Sequence, residues 1–157
     1  FASTDARPMG RVSKGVRGMR LPEEHRVISM VVPEVDGFLL TVCENGYGKR
    51  TTVDEFPTKG RGGKGMIAIQ ASERNGPLVG ACQLFSGDEI MLISDQGTMV
   101  RTRGDEVSVV GRNTQGVRII RLKEGENLVS LARIAEPEED DFIEGEEGES
   151  TESTAEE

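Results

Sequence analysis

The chain has 157 residues, room for one ordinary domain or for a few small repeated units. Counting its 20 glycines with the apolar residues gives about 47%, the usual share for a folded protein, and no run approaches the ~20 apolar residues of a membrane span. The formal charge of −9 is unevenly spread: residues 136–157 hold 12 acids and no Lys or Arg, so residues 1–135 set 16 acids against all 19 bases, a net of +3.

The chain begins with Phe1 and has no basic-then-apolar leader, which reads as a fragment without a secretory signal. No stretch free of both Gly and Pro exceeds eleven residues, too short for a helix-rich domain. In chain order, the apolar runs at 27–32, 38–43, 78–84, 90–93 and 128–134 read as strands. Between them lie Glu34-Val35-Asp36-Gly37, Glu44-Asn45-Gly46, Asn75-Gly76-Pro77, Ser86-Gly87-Asp88 and Asp95-Gln96-Gly97. Asn-Gly between apolar runs is a strong hairpin signal, so the body is expected to be all-β. Residues 136–157 cannot bury enough apolar surface to offset their ordering entropy and are expected to be a disordered acidic tail. That tail reads either as a solubiliser or as a tethered polyanion competing for the body's basic face.

A repeat of about fifty residues runs through the body. Gly10-Arg11 with Gly15-Val16, Gly60-Arg61 with Gly65-Met66, and Gly111-Arg112 with Gly116-Val117 share one pattern at spacings of 50 and 51. The same register carries residues 39–51 onto 90–102, Asp54-Glu55-Phe56 onto Asp105-Glu106-Val107, and Leu78-Val79-Gly80-Ala81 onto Leu128-Val129-Ser130-Leu131. Periods of 40 to 50 residues built from short strands are propeller-blade periods, in which neighbouring blades hide one another's edges. Residues 1–135 are therefore expected to be a partial blade plus about two further blades, a slice of a larger ring.

The repeat also acts as an internal control on candidate chemistry. Cys43 aligns with Ser94, and Cys82 with Val31 and Ala132, as packing residues would. Two free thiols without a leader point to the reducing cytoplasm. His25 stands in a polar loop without Ser or Cys context, Tyr47 aligns with Thr98, and the carboxylate pairs recur as solvated turns. No catalytic or metal-binding constellation is expected. The segment Lys59-Gly60-Arg61-Gly62-Gly63-Lys64-Gly65 is different, because glycines let the backbone approach a phosphate while the cations neutralise it. It lacks the Gly-Lys-Ser/Thr of a nucleotide loop. Cations recur at equivalent places, and a regularly spaced cationic rim suits the polyanionic backbone of duplex DNA. With aromatic residues at 4% and no Trp, base stacking on single strands is disfavoured. The candidate contacts are Arg11, Lys14, Arg17, Lys49, Arg50, Lys59, Arg61, Lys64, Arg101, Arg103, Arg112 and Arg118.

Residues 27–51, Pro57-Thr58-Lys59, Glu73-Arg74-Asn75-Gly76 and above all Val110-Gly111-Arg112-Asn113-Thr114-Gln115-Gly116-Val117 resemble the C-terminal domain of the bacterial DNA gyrase A family. The resemblance covers about residues 9–137 and implies a β-pinwheel, a propeller-like ring or spiral whose blades exchange strands and whose basic perimeter wraps duplex DNA. It further implies an A2B2 assembly with gyrase B that uses ATP and Mg2+ for negative supercoiling. The breakage tyrosine, metal-binding acids and ATP site would lie outside this chain, leaving it without catalysis or cofactor of its own, in the cytoplasm with the nucleoid and away from membranes. The family's basic box ends Arg-Gly-Gly-Lys-Gly, as Arg61-Gly62-Gly63-Lys64-Gly65 does, but Lys59-Gly60 stand where the box opens Gln-Arg. This copy is therefore expected to be a degenerate repeat. Two alternatives remain open at this point: the related substrate-selecting domain of topoisomerase IV, and a propeller used as a protein-interaction scaffold.

Overall fold

The computed structural model describes residues 1–135; the expected acidic tail, 136–157, lies outside the described residues. Among the described residues seven strands form two antiparallel sheets: β1 (Phe38–Cys43), β2 (Tyr47–Thr52), β3 (Leu78–Leu84), β4 (Glu89–Ser94), β5 (Met99–Arg103), β6 (Val117–Arg118) and β7 (Leu128–Ile134). The first sheet runs β3-β1-β2-β6 and the second β5-β4-β7. In each, the hairpin turns on a glycine with left-handed φ, Gly46 at +78° and Gly97 at +84°, a conformation closed to most side chains.

The repeat extends to irregularities of the backbone. The register of β1 against β3 shifts between Val42 and Cys43, and that of β4 against β7 shifts between Ile93 and Ser94, 51 residues on. The 3₁₀ turns Val53–Glu55 and Gly104–Glu106 close the two hairpins at the same interval. Strand β6 belongs by sequence to the later repeat, yet pairs with β2 through Tyr47↔Arg118 and Gly48↔Val117. Blades therefore exchange strands, as the resemblance implies. Gly116 permits this crossing: its φ is +77°, and a Cβ there would stand 2.6 Å from the Gly48 carbonyl oxygen.

One apolar core joins the sheets, with Leu40, Val42 and Leu84 from the first and Ile90, Leu92 and Leu128 from the second, closed by Val107 and Ile120. Strands β3 and β7 meet so closely at Gly80 that a Cβ would lie 2.4 Å from Leu131 Cδ2. Residues 27–32, expected to be a strand, have no ladder pairing among the described residues. They align with β3 and β7 by the repeat, but Met30 and Val32 stay 87% and 79% exposed. Their contact with the next blade includes the Ala81 amide donating to Ser29 Oγ.

Candidate nucleic-acid interface

The segment around residue 61 folds against residues 17–20. The Gly62 amide donates to the Gly18 carbonyl, and the Arg20 amide to that of Gly63. Gly62 and Gly65 hold φ of +77° and +81°, and Gly15 and Gly116 repeat the latter at +79° and +77°. The loop thus brings Lys59 and Lys64 to the same edge of the blade as Arg17 and Arg20, all exposed. Arg11 and Lys14 are exposed on the preceding copy of the same element, and Arg103 is exposed at the end of β5. Of these, Arg11, Lys14, Arg17, Lys59, Lys64 and Arg103 are expected cations that the structure leaves available to a polyanion, and Arg20 is one that the sequence reading did not name.

Others are engaged in holding the blades. Arg61 donates from Nε to the Asp5 carbonyl and from Nη1 to the Arg17 carbonyl at 2.8 Å. Arg112, one repeat on, donates from Nη1 to the Ile67 carbonyl at 2.6 Å, while its amide donates to the Glu55 carboxylate. The repeated arginine of the Gly-Arg pair is thus a staple onto the preceding loop, although part of each guanidinium still meets solvent. Arg101 pairs with Glu89 on the neighbouring strand, and Arg118 donates to Tyr47 Oη at 2.8 Å.

Lys49 and Arg50 correct the expectation. Lys49 is fully buried, its ammonium donating to the carbonyls of Gly111, Arg112 and Thr114 and to Thr114 Oγ1. Burial holds that ammonium below the usual lysine range. Arg50 is 7% exposed and donates to Val107 O at 2.8 Å, to Asp105 Oδ1 at 2.7 Å and to Asp105 O at 2.9 Å. Neither can reach DNA without dismantling the interior. Both serve contact with the next repeat, not with a ligand, and Lys49, which aligns with Val100, does not recur.

The thiols behave as packing residues: burial pushes Cys43 and Cys82 each up to about 11. Among the described residues no three His, Cys, Asp or Glu side chains gather into a metal site. Periodic reading missed Arg74, Arg121 and Lys123, which are exposed but have no cationic counterpart in the adjoining repeat. Their signal was positional charge alone, without recurrence.

The DNA gyrase C-terminal domain, a β-propeller family, matches residues 1–34, 37–81 and 88–135. This chain belongs to that family. Its curated relatives include the gyrase A protein of Pseudomonas aeruginosa, 54% identical over 99% of this chain and 18% of that protein. The gyrase A protein of Escherichia coli is 55% identical over 92% of this chain and 17% of its own length. The chain thus spans about a sixth of these gyrase A proteins. A solved gyrase A C-terminal domain superposes with a TM-score of 0.75 at 30% identity, over 85% of this chain and 45% of that one. A topoisomerase IV C-terminal domain reaches the same TM-score at 18% identity, over 83% of this chain and 41% of that chain, a likeness of fold alone. The pinwheel and its strand exchange are therefore those of the gyrase C-terminal domain.

Proposed function

We propose that these blades hold duplex DNA by its phosphates and support negative supercoiling by a gyrase assembled from gyrase A and gyrase B. The observation that carries the reading is the loop at 59–65, where Lys59 and Lys64 stand exposed among left-handed glycines beside Arg17, in a chain of the gyrase family. Glycine keeps the loop surface low, so a phosphodiester can approach the backbone while the flanking ammonium groups neutralise it. Arg61, tied to the Arg17 carbonyl, fixes the loop against the preceding copy and so fixes where the two lysines stand. Phosphate contact carries little sequence information, which suits an element that curves duplex of any sequence. Chemistry at ATP and Mg2+ belongs in this reading to other parts of the enzyme. The setting that follows is the cytoplasm with the nucleoid; no helix among the described residues is long and apolar enough to cross a membrane.

Duplex affinity should fall with salt at about −0.9 in log–log slope per phosphate neutralised. In the full-length gyrase A protein, Lys59→Gln with Lys64→Gln should weaken binding evenly across sequences and make that slope shallower by about 1.8. The reading fails if wild-type affinity is indifferent to salt, which is what a protein-interaction scaffold predicts.

A further inference from the structure

A second group of cations surrounds the tip of the β1–β2 hairpin. Tyr47 opens β2, is 6% exposed, and faces Arg118 of the exchanged strand β6 in direct register. The Arg118 guanidinium lies 5.3 Å from the Tyr47 ring centre and donates to its hydroxyl. Arg74 lies 4.8 Å from the same ring. One aromatic ring thus holds two guanidinium groups in place, which offsets part of the rotamer entropy that an arginine loses on binding a ligand.

Arg118 also lines a cavity of about 400 Å³ together with Arg121 and Lys123, with Asn45 and Asn127 beside them. The carboxylate in its wall, Glu126, is turned inward and 5% exposed, accepting from Ser94 Oγ and from the Lys123 amide. None of the salt bridges among the described residues involves Arg74, Arg118, Arg121 or Lys123. Arg118, Arg121 and Lys123 outnumber the one carboxylate of the lining, Glu126, which interacts with Lys123, and the excess of positive charge on a concave surface suits an anion. Guanidinium forks match the tetrahedral oxygens of phosphate.

We infer that Arg118, Arg121 and Lys123 form a cleft for a DNA phosphodiester, separate from the loop at 59–65, with Tyr47 as the residue that positions Arg118 and Arg74. This rests on the DNA reading above and adds to Arg118 two residues, Arg121 and Lys123, that the repeat does not predict. One repeat on, Tyr47 becomes Thr98 and Arg74 falls at Glu124 or Gly125, neither a cation, so the cleft occurs once among the described residues and not once per blade.

The test is a salt titration of duplex binding by the full-length gyrase A protein. Arg121→Gln with Lys123→Gln, both exposed and so expected to fold, should make the log–log slope shallower by about 1.8. Tyr47→Phe keeps the ring under both arginines and should stay close to wild type; Tyr47→Leu removes it and should make the slope shallower while the melting temperature reports any loss of fold. An unchanged slope in the Arg121/Lys123 variant, with a steep wild-type slope, overturns the cleft and leaves DNA binding standing. A flat wild-type slope overturns both.

Discussion

Lys49 separates a structural cation from a DNA contact. Lys49→Met keeps the apolar stem and deletes an ammonium that donates to the carbonyls of Gly111, Arg112 and Thr114 and to Thr114 Oγ1. Two of these acceptors keep a partner, because Thr114 Oγ1 donates to Gly111 O and the Gln70 amide to Thr114 O. The Arg112 carbonyl loses the donor that holds it, a cost of about 1–3 kcal/mol for an orphaned buried acceptor. The charge-assisted bonds go as well, partly offset because no ammonium then has to be desolvated. The net loss is about 2–4 kcal/mol, or roughly 5–15 °C in the melting temperature of a domain this size. Differential scanning calorimetry of the chain measures it, and amide exchange should show opening concentrated at residues 111–114. Duplex binding by the folded fraction of the variant should keep the wild-type salt slope. An unchanged melting temperature with a slope shallower by about 0.9 would refute the reasoning and return Lys49 to the DNA surface.

Arg50→Ala removes three bonds that tie β2 to the turn of the next blade, and should cost about 2–4 kcal/mol by urea denaturation, again without a change of salt slope. Gly116→Ala forces a Cβ to within 2.6 Å of the Gly48 carbonyl at φ of +77°, and should cost more than ~2 kcal/mol and loosen the exchanged strand, seen as faster amide exchange at Val117 and Arg118. The Glu126 carboxyl is held down to about 2, first by the bond from Ser94 Oγ and then by those from Thr98 and the Lys123 amide. Its folded value lies below its unfolded one, so its stabilisation is complete above the ordinary carboxylate range and is lost as pH falls toward 2. Glu126→Gln should therefore destabilise the chain near pH 7 and far less near pH 2.5, in parallel urea titrations.

The pinwheel was legible because its signals are local and recur. Apolar runs 38–43, 78–84 and 128–134 coincide with β1, β3 and β7, and the glycines at 46 and 97 take the left-handed turns that hairpins require. Strand β2 has no apolar run: Tyr47-Gly48-Lys49-Arg50-Thr51-Thr52 reads as a polar segment, yet its first five residues are buried. What buries them is a set of partners 55 to 65 residues away, Asp105, Val107, Gly111, Arg112 and Thr114, and no sequence window spans that distance. The same blindness placed Lys49 and Arg50 on the rim. Residues 27–32 show the converse: their apolar pattern is that of a strand, but pattern alone supplies no neighbour to pair with.

Recurrence of a charge in a repeat protein argues for structure before it argues for a ligand. Each blade meets its neighbour in the same way, so a residue that joins blades must recur at the blade period. DNA crossing the blades imposes no such requirement on every copy. Arg61 and Arg112 obey the period and each reaches back to the carbonyl of the preceding loop. Arg50 reaches forward to Asp105, whereas Arg101 at the equivalent place pairs with Glu89 inside its own sheet, and no further 3₁₀ turn stands beyond it among the described residues. The exposed cations follow the period only in part: Lys14 and Lys64 occupy equivalent places, but one blade on Val110 and Gln115 stand where Lys59 and Lys64 would recur. What separates a phosphate contact from a structural cation here is exposure, which Lys59 and Lys64 have and Lys49 and Arg50 lack.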